Sequence, residues 1–337
     1  MFATSWGIGT SPDSVAYIGS ARNLAAGLGL TVPFGGLDDA PMTHHAPFYP
    51  ALLGAIWFSG IDPAHVARIL GAVIIAVNTL LAAWLVSRMV VGMNWPPVFA
   101  ALLVGISPTI LEIHSMAWTE PLFISLGFLG LGLLARGLEN RSWKLSLIAA
   151  LLVGLAALTR YAGVALIFSG ILGILLLARV GVIHRLTYAA GFGMAAGLPL
   201  LVWVAYNILT VGTATSRSLN FHPIGRGQLW QGMASITSWL LIPENAPTWF
   251  HLATLTLLGL LISAALFIIW RGRNKEWTTP GITLSLIALF IPVYILFLVV
   301  SISLFDANTP LDGRILSPAF FAGVVCMVAL LSWVKIQ

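Results

Sequence analysis

Charge is scarce in this chain of 337 residues: Asp, Glu, Lys and Arg together make up 8% of it. Cysteine is scarcer, with Cys326 alone, which excludes an internal disulfide framework and a thiolate-ligated metal cluster. No glycine-rich nucleotide loop, internal repeat or low-complexity tract stands out, so nothing divides the chain into separate soluble modules. The middles of its apolar runs are nearly free of ionisable groups, which weighs against a transporter or channel, since a transport pathway is marked by such groups inside its spans. Asn78 and Asn207 are the conspicuous polar residues within those runs, and one amide per helix is expected to stitch helices together.

What is abundant is apolar. With 59% hydrophobic residues, 13 Trp and a mean hydropathy of +0.97, the chain is composed for lipid as its solvent. Apolar runs of about 20 residues, the length that crosses a bilayer core of roughly 30 Å, predict about nine crossings, near 64–87, 97–114, 118–135, 145–159, 161–178, 186–210, 250–270, 280–304 and 315–334. The run 145–159 is short, so its helix is expected to lie obliquely or to pack on the next one behind a break at Arg160-Tyr161.

The charges sort by side. Arg88, Arg136, Arg141, Lys144, Arg179, Arg185, Arg271, Arg273, Lys275 and Lys335 fall on one side with only Glu139 and Glu276. The other side holds Arg22, Arg68, Arg160, Arg217, Arg226 and Arg314 against nine carboxylates. Because Lys and Arg in short loops are retained in the cytoplasm, the first side is read as cytoplasmic and the N-terminus and acidic loops as facing outward. The net charge of +5 then reports topology and gives no reason to invoke nucleic acid. Residues 1–45 are too polar to insert and lack a signal-peptide pattern. An outward start therefore predicts a further spanning helix upstream, or a head carried across by insertion of 64–87.

Two larger outer segments flank this arrangement, 1–63 ahead of a transmembrane domain over 64–335, and a loop at 211–249 within it. In the first, Ser11 suits a helix cap and Pro12 the first helical position. Val15, Ile18, Leu24 and Ala25 recur at helical spacing until Gly27-Leu28-Gly29 ends the run. A second short helix over 47–58 is too short to cross and suits the membrane interface. Asp38, Asp39, His44 and His45 form a polar loop between them, and Asp13 sits in the first turn of the first helix. Trp and Tyr near span ends read as an interfacial belt.

The order Asp13…Tyr17…Ala21…Leu24…Gly27-Leu28-Gly29, then His45-Ala46-Pro47-Phe48-Tyr49-Pro50, Thr119-Glu120-Pro121-Leu122-Phe123, Leu158-Thr159-Arg160-Tyr161 and Thr309-Pro310-Leu311-Asp312-Gly313-Arg314-Ile315-Leu316-Ser317-Pro318 resembles the GT-C membrane glycosyltransferases. That superfamily includes protein O-mannosyltransferases, lipid A aminoarabinose transferases and lipopolysaccharide galacturonosyltransferases. The resemblance runs from about residue 11 to 335. It implies an all-α, polytopic, GT-C-like integral membrane protein with two interfacial helices. It further implies an enzyme of the cytoplasmic membrane that moves a sugar from a polyprenyl phosphate to a lipid, glycan or protein hydroxyl at the outer face, with inversion.

Asp13 matches the family's catalytic base, which takes the acceptor proton as oxygen attacks the anomeric carbon. Glu120 is a candidate supporting acid. Arg314 matches the late Arg-aromatic-Leu-x-Pro signature, with Ile315 in place of the aromatic. With Arg217, Arg226 and Arg160 it is a candidate for the donor phosphate, where cations offset the charge developing on the leaving group. Tyr17, Asp38, Asp39, His44 and His45 are candidates for contacting the acceptor or a divalent metal, since imidazole and carboxylate are suitable ligands. Two departures from the family pattern stand out: His44 and His45 replace a Lys ahead of the Pro-rich helix, and no spanning helix precedes Asp13. Plainer readings exist for each residue. Asp13 also suits a helix-start acid stabilised by about 0.3–1 kcal/mol from the helix dipole, Glu120 a helix-start residue, Arg160 a cation at a helix break and Arg314 an interfacial anchor. An inactive, N-terminally truncated homologue and a membrane transporter are the alternatives to the enzyme.

Overall fold

The computed structural model describes residues 4–33, 40–57, 60–272 and 279–334. Asp38 and Asp39 lie outside the described residues, as do Arg273, Lys275, Glu276 and Lys335 from the charge count. The fold is all-α apart from one two-residue hairpin. Helix α1 (Pro12–Ala25) is followed by strands β1 (Thr31–Val32) and β2 (Ala40–Pro41), antiparallel with Thr31 opposite Pro41, and then by α2 (Phe48–Trp57). The remaining helices are α3 (Pro63–Met89), α4 (Trp95–Ile106), α5 (Pro108–Ser115), α6 (Glu120–Glu139), α7 (Trp143–Thr159), α8 (Val164–Leu177), α9 (Val182–Val211), α10 (Arg226–Ser238), α11 (Thr248–Gly272), α12 (Thr279–Leu304) and α13 (Gly313–Val334).

Every predicted run is helical, but the helices are not nine equal spans. Among the described residues α3, α6, α9, 281–304 and 313–332 are each long and apolar enough to cross a membrane. The run 97–114 is broken: Ser107 leaves the helical region at ψ 126°, Pro108 opens α5, and the two halves bend by 55°. The residue before a proline avoids helical backbone, so Ser107-Pro108 sets the break. The shorter helices α7 and α8 meet at Arg160, which is extended at φ −148°, and at a single 3-10 turn, Tyr161–Gly163.

The bundle closes through small residues. A Cβ at Gly130 of α6 would lie 2.8 Å from Val153 and 3.2 Å from the carbonyl of Ala149, both on α7, so these backbones approach as closely as lipid-embedded helices require. Aromatic rings fill the centre. Phe128 meets Phe290 at 5.0 Å and Phe321 at 4.9 Å, and Phe290 stacks on Tyr294, whose hydroxyl donates to the Ile315 carbonyl at 2.7 Å. Asn78 stitches helices as its position suggested: its side-chain amide donates to the Pro121 carbonyl at 3.1 Å and its oxygen accepts Ser125 at 2.7 Å. Asn207 bonds the Ala214 carbonyl just beyond its own helix.

The N-terminal segment is docked onto this bundle. Tyr17, Ile18 and Ala21 of α1 pack with Tyr49 and Leu53 of α2 against Val66, Ala67 and Ile74 of α3. Val15, expected on the apolar face, is exposed instead; the buried stripe is set by Tyr17 and its one-turn neighbours. Arg22 pairs with Asp62 at 2.9 Å, and Gly9 exchanges backbone hydrogen bonds with Ser115 and Ala117 at 2.8 and 2.9 Å. Those bonds fix the entry to α1 beside the start of α6.

Candidate active site

Ser11 caps α1 as the sequence predicts, its hydroxyl accepting the Ser14 amide at 3.4 Å, and Pro12 supplies a helical φ at the first position. The cap is held from across the chain by Trp118, whose indole donates to Ser11 Oγ at 2.8 Å. Asp13 therefore projects from a helix start fixed on both sides. Its Oδ2 accepts Arg314 Nη2 at 2.6 Å, while Oδ1 takes no hydrogen bond among the described residues.

Arg314 reaches there from the first turn of α13. Its Nε donates to Glu120 Oε1 at 2.6 Å and its guanidinium lies 4.2 Å from the Trp118 ring centre. Glu120, at the start of α6, is fully buried and also pairs with Arg160, which in turn donates to the Thr119 hydroxyl at 3.1 Å. Two carboxylates and two guanidiniums thus alternate in one chain, Asp13–Arg314–Glu120–Arg160, drawn from four parts of the sequence. A buried carboxylate is tolerated only with such partners.

Asp13 is also part of a cavity wall. A space of about 350 Å³ is lined by Pro12, Asp13 and Ala16 of α1, by Val32 and Pro41 of the hairpin, by Met42, Thr43, His44 and His45, and by Ser216. The loop 42–45 is held from behind by Tyr161, whose hydroxyl donates to the Thr43 carbonyl at 2.8 Å and accepts the Trp203 indole at 3.1 Å. His45 Nδ1 lies 3.3 Å from the Tyr17 hydroxyl, and His44 Nε2 lies 3.4 Å from Arg217. Arg217 stands 5.7 Å from the Tyr161 ring centre, and its Nε is buried without a hydrogen-bond partner. It is a cation whose neighbours are an imidazole and an aromatic face, with no carboxylate bonded to it among the described residues.

The electrostatics follow from these contacts. Burial raises the Asp13 carboxyl, but the charge and hydrogen bond of Arg314, aided by His45 and Arg160, outweigh it and leave the group below the ordinary value of 3.8. Burial lowers the His45 imidazole to about 4 despite the opposing pull of Asp13, with His44 and Arg217 lowering it further. His44 is lowered too, by burial and then by Arg217. Tyr17 is pushed up by burial and by Asp13, so its phenol stays protonated.

The structure thus gathers Asp13, Tyr17, Glu120, Arg160, Arg314, His44, His45 and Arg217 into one region. Arg226 is not part of it: it opens α10 on the exposed surface and makes none of these contacts. Glu112 is likewise exposed on α5. The two imidazoles meet edge-on at 5.0 Å and turn to Tyr17 and Arg217; among the described residues no group of three His, Cys, Asp or Glu could hold a metal ion. Trp118 corrects the belt reading, because it is 8% exposed and sits inside the site. Thr119, Trp118, Tyr161 and Trp203 were missed as site residues. The first two adjoin Glu120 and Tyr161 adjoins Arg160, so adjacency to a candidate charge was the available signal; Trp203 carried none. The ion pairs also respect the two charge sets. Arg22–Asp62 and the four-residue chain lie within the acidic set, and Arg88–Glu139, at 2.5 Å, lies within the basic one.

A family model described as dolichyl-phosphate-mannose-protein mannosyltransferase matches residues 44–203, a stretch that contains Glu120 and Arg160 and excludes Asp13 and Arg314. The structure of ArnT from Cupriavidus metallidurans bound to undecaprenyl phosphate is similar at a TM-score of 0.59 and 16% identity, over 99% of this chain and 59% of that one. The apo state of the same protein gives 0.57 and 17%, over 99% and 58%. This chain accordingly spans about three fifths of the length of ArnT. No curated protein sequence matches it significantly. The chain shares the fold of ArnT, and the all-α, GT-C-like membrane fold expected from the sequence is borne out.

Proposed function

We propose that this protein is a membrane glycosyltransferase that takes a sugar from a polyprenyl-phosphate donor and places it on a lipid, glycan or protein hydroxyl at the outer face of the cytoplasmic membrane. The observation that carries this reading is Asp13 itself: an ionised carboxylate in a cavity wall, with one oxygen fixed by Arg314 and the other open to a hydroxyl. An acceptor O–H bonded to Oδ1 gives its proton to Asp13 as its oxygen forms the bond to the anomeric carbon. The bond from that carbon to the phosphate oxygen breaks on the opposite side, polyprenyl phosphate departs with the electron pair, and the configuration inverts. A base held at low pKa is always in its reactive form at neutral pH, and accepts the proton late, once the hydroxyl has become acidic by bonding.

The leaving phosphate needs positive charge. Glu120 and Asp13 already offset Arg314 and Arg160, whereas Arg217 has no bonded carboxylate among the described residues and a buried Nε without a partner. Arg217 is therefore assigned the donor phosphate, with Arg314 orienting the base. ArnT bound to undecaprenyl phosphate supports a lipid phosphate as the donor class on this fold.

Mass spectrometry of envelope glycolipids, glycans and glycoproteins from cells making the natural chain or Asp13→Asn tests the proposal. A sugar-sized mass addition present with the natural chain and lost in Asp13→Asn is expected. An addition that survives the substitution would remove Asp13 as the base, and none from a stably inserted natural chain would leave an inactive homologue.

A further inference from the structure

Helix α6 starts at Glu120 in the site and runs for 20 residues to Glu139. At 1.5 Å per residue that is about 30 Å, a bilayer core. Helix α7 returns from Trp143 to Thr159, next to Arg160. The turn between them forms part of a second cavity of about 290 Å³, walled by Glu139, Arg141, Trp143, Arg179 and Tyr188 among others. This cavity therefore sits a membrane thickness away from Asp13, at the cation-rich end of the bundle.

Its wall is built for an anion. Glu139, the carboxylate of the lining, is bonded by Arg88 at 2.5 Å, which offsets its charge, and Arg141 stands in the same wall. Arg136, Lys144 and Arg185 stand nearby in sequence and carry the same sign. Arg141 adopts a left-handed backbone at φ +50°, a conformation that is uncommon for residues other than glycine, asparagine and aspartate. Its position in the three-residue link places its charge at the cavity despite that cost. Apolar side chains are exposed here: Trp143 of the lining at 67%, and Val182 and Ile183, which follow the lining residue Val180 in sequence, at 73% and 66%. A soluble anion would gain nothing from that surface, whereas acyl chains would cover it, and an exposed Trp beside cations suits the headgroup level.

We infer that this cavity binds the phosphate headgroup of an anionic phospholipid in the leaflet opposite the Asp13 site. The inference is independent of what Asp13 does. Basic pockets between helix ends attract anionic headgroups by about 1 kcal/mol for each cation near the surface, so removing one cation reads as about a fivefold loss of binding.

The test is native mass spectrometry of the detergent-purified full chain with added phosphatidylglycerol or phosphatidylcholine, alongside melting temperatures in nanodiscs of each lipid. Arg141→Asn removes the charge and suits the left-handed backbone, so loss of fold does not confuse the result; Arg141→Lys keeps the charge. Phosphatidylglycerol is expected to be retained over phosphatidylcholine and to raise the melting temperature of the natural chain. Retention should fall about fivefold in Arg141→Asn and persist in Arg141→Lys, with no protection by millimolar inorganic phosphate. Equal retention of both lipids, or the same phosphatidylglycerol retention in Arg141→Asn, would overturn the site. Protection by inorganic phosphate without phosphatidylglycerol retention would overturn the lipid and assign a soluble anion.

Discussion

Replacing Glu120 by Gln and Asp13 by Asn should separate two roles within one ionic chain. Glu120 is fully buried and accepts Arg314 Nε at 2.6 Å, Arg160 and the Thr119 hydroxyl. The amide of Glu120→Gln has the same shape but leaves two largely buried guanidiniums, 17% and 16% exposed, facing each other with only Asp13 to offset them. Breaking a buried pair from one side costs about 3–5 kcal/mol, which at about 2 °C per kcal/mol lowers the melting temperature by about 6–10 °C. Asp13 is 36% exposed and bonds one guanidinium. Screened pairs of that kind contribute at most about 1 kcal/mol, so Asp13→Asn should melt within about 2 °C of the natural chain while losing about 10²–10⁴-fold in transfer rate as a general base. Melting followed by tryptophan fluorescence in detergent, with transfer measured on the same preparations, reads both. A Glu120→Gln protein as stable as the natural chain would refute the burial argument. An Asp13→Asn protein that melts as early as Glu120→Gln would make Asp13 a structural member of the chain.

Acid should weaken the fold before it reaches the carboxylates. His45 is held at about 4 against an ordinary 6.5, so below pH 6.5 the unfolded chain takes up the proton first, and this contribution to stability declines down to about pH 4 and then levels off. Melting curves between pH 7 and 4 should show the decline, and His45→Gln should flatten it; an equal slope in both proteins would assign the effect elsewhere. Tyr161→Phe removes the hydroxyl that ties the Thr43 carbonyl to Trp203. A loss of about 1–3 kcal/mol is expected from the groups left unpaired, with faster proteolysis at 41–46, and unchanged cleavage there would show that the loop is held by other contacts.

The start of α1 was legible because Ser11-Pro12-Asp13 is a local signal: cap, fixed φ and first-turn acid act within four residues. Each apolar run was legible as a helix for the same reason, since composition over 20 residues decides it. The number of crossings was not, because Ser107-Pro108 turns one run into two helices at 55° and Arg160 separates two short ones, and run length does not reveal such bends. Asp13, Glu120, Arg160 and Arg314 could each be singled out, yet their alternation depends on contacts up to 301 residues apart. Nothing in the sequence distinguished Arg217 from Arg226, which differ only in what the fold brings beside them. Trp203 was invisible because one Trp among 13 in a lipid-facing chain looks like any other.

The span of 301 residues between Asp13 and its Arg314 partner also has a timetable. At about 5–20 residues per second, the ribosome takes roughly 15–60 s to proceed from one to the other. Through that interval the nascent chain carries Asp13 with no guanidinium on Oδ2 and Glu120 with Arg160 alone. The charge chain closes only when α13 enters the membrane, so a product released early inserts most of the bundle yet holds its carboxylate unaimed. Helix α13 is thus the one that arms α1.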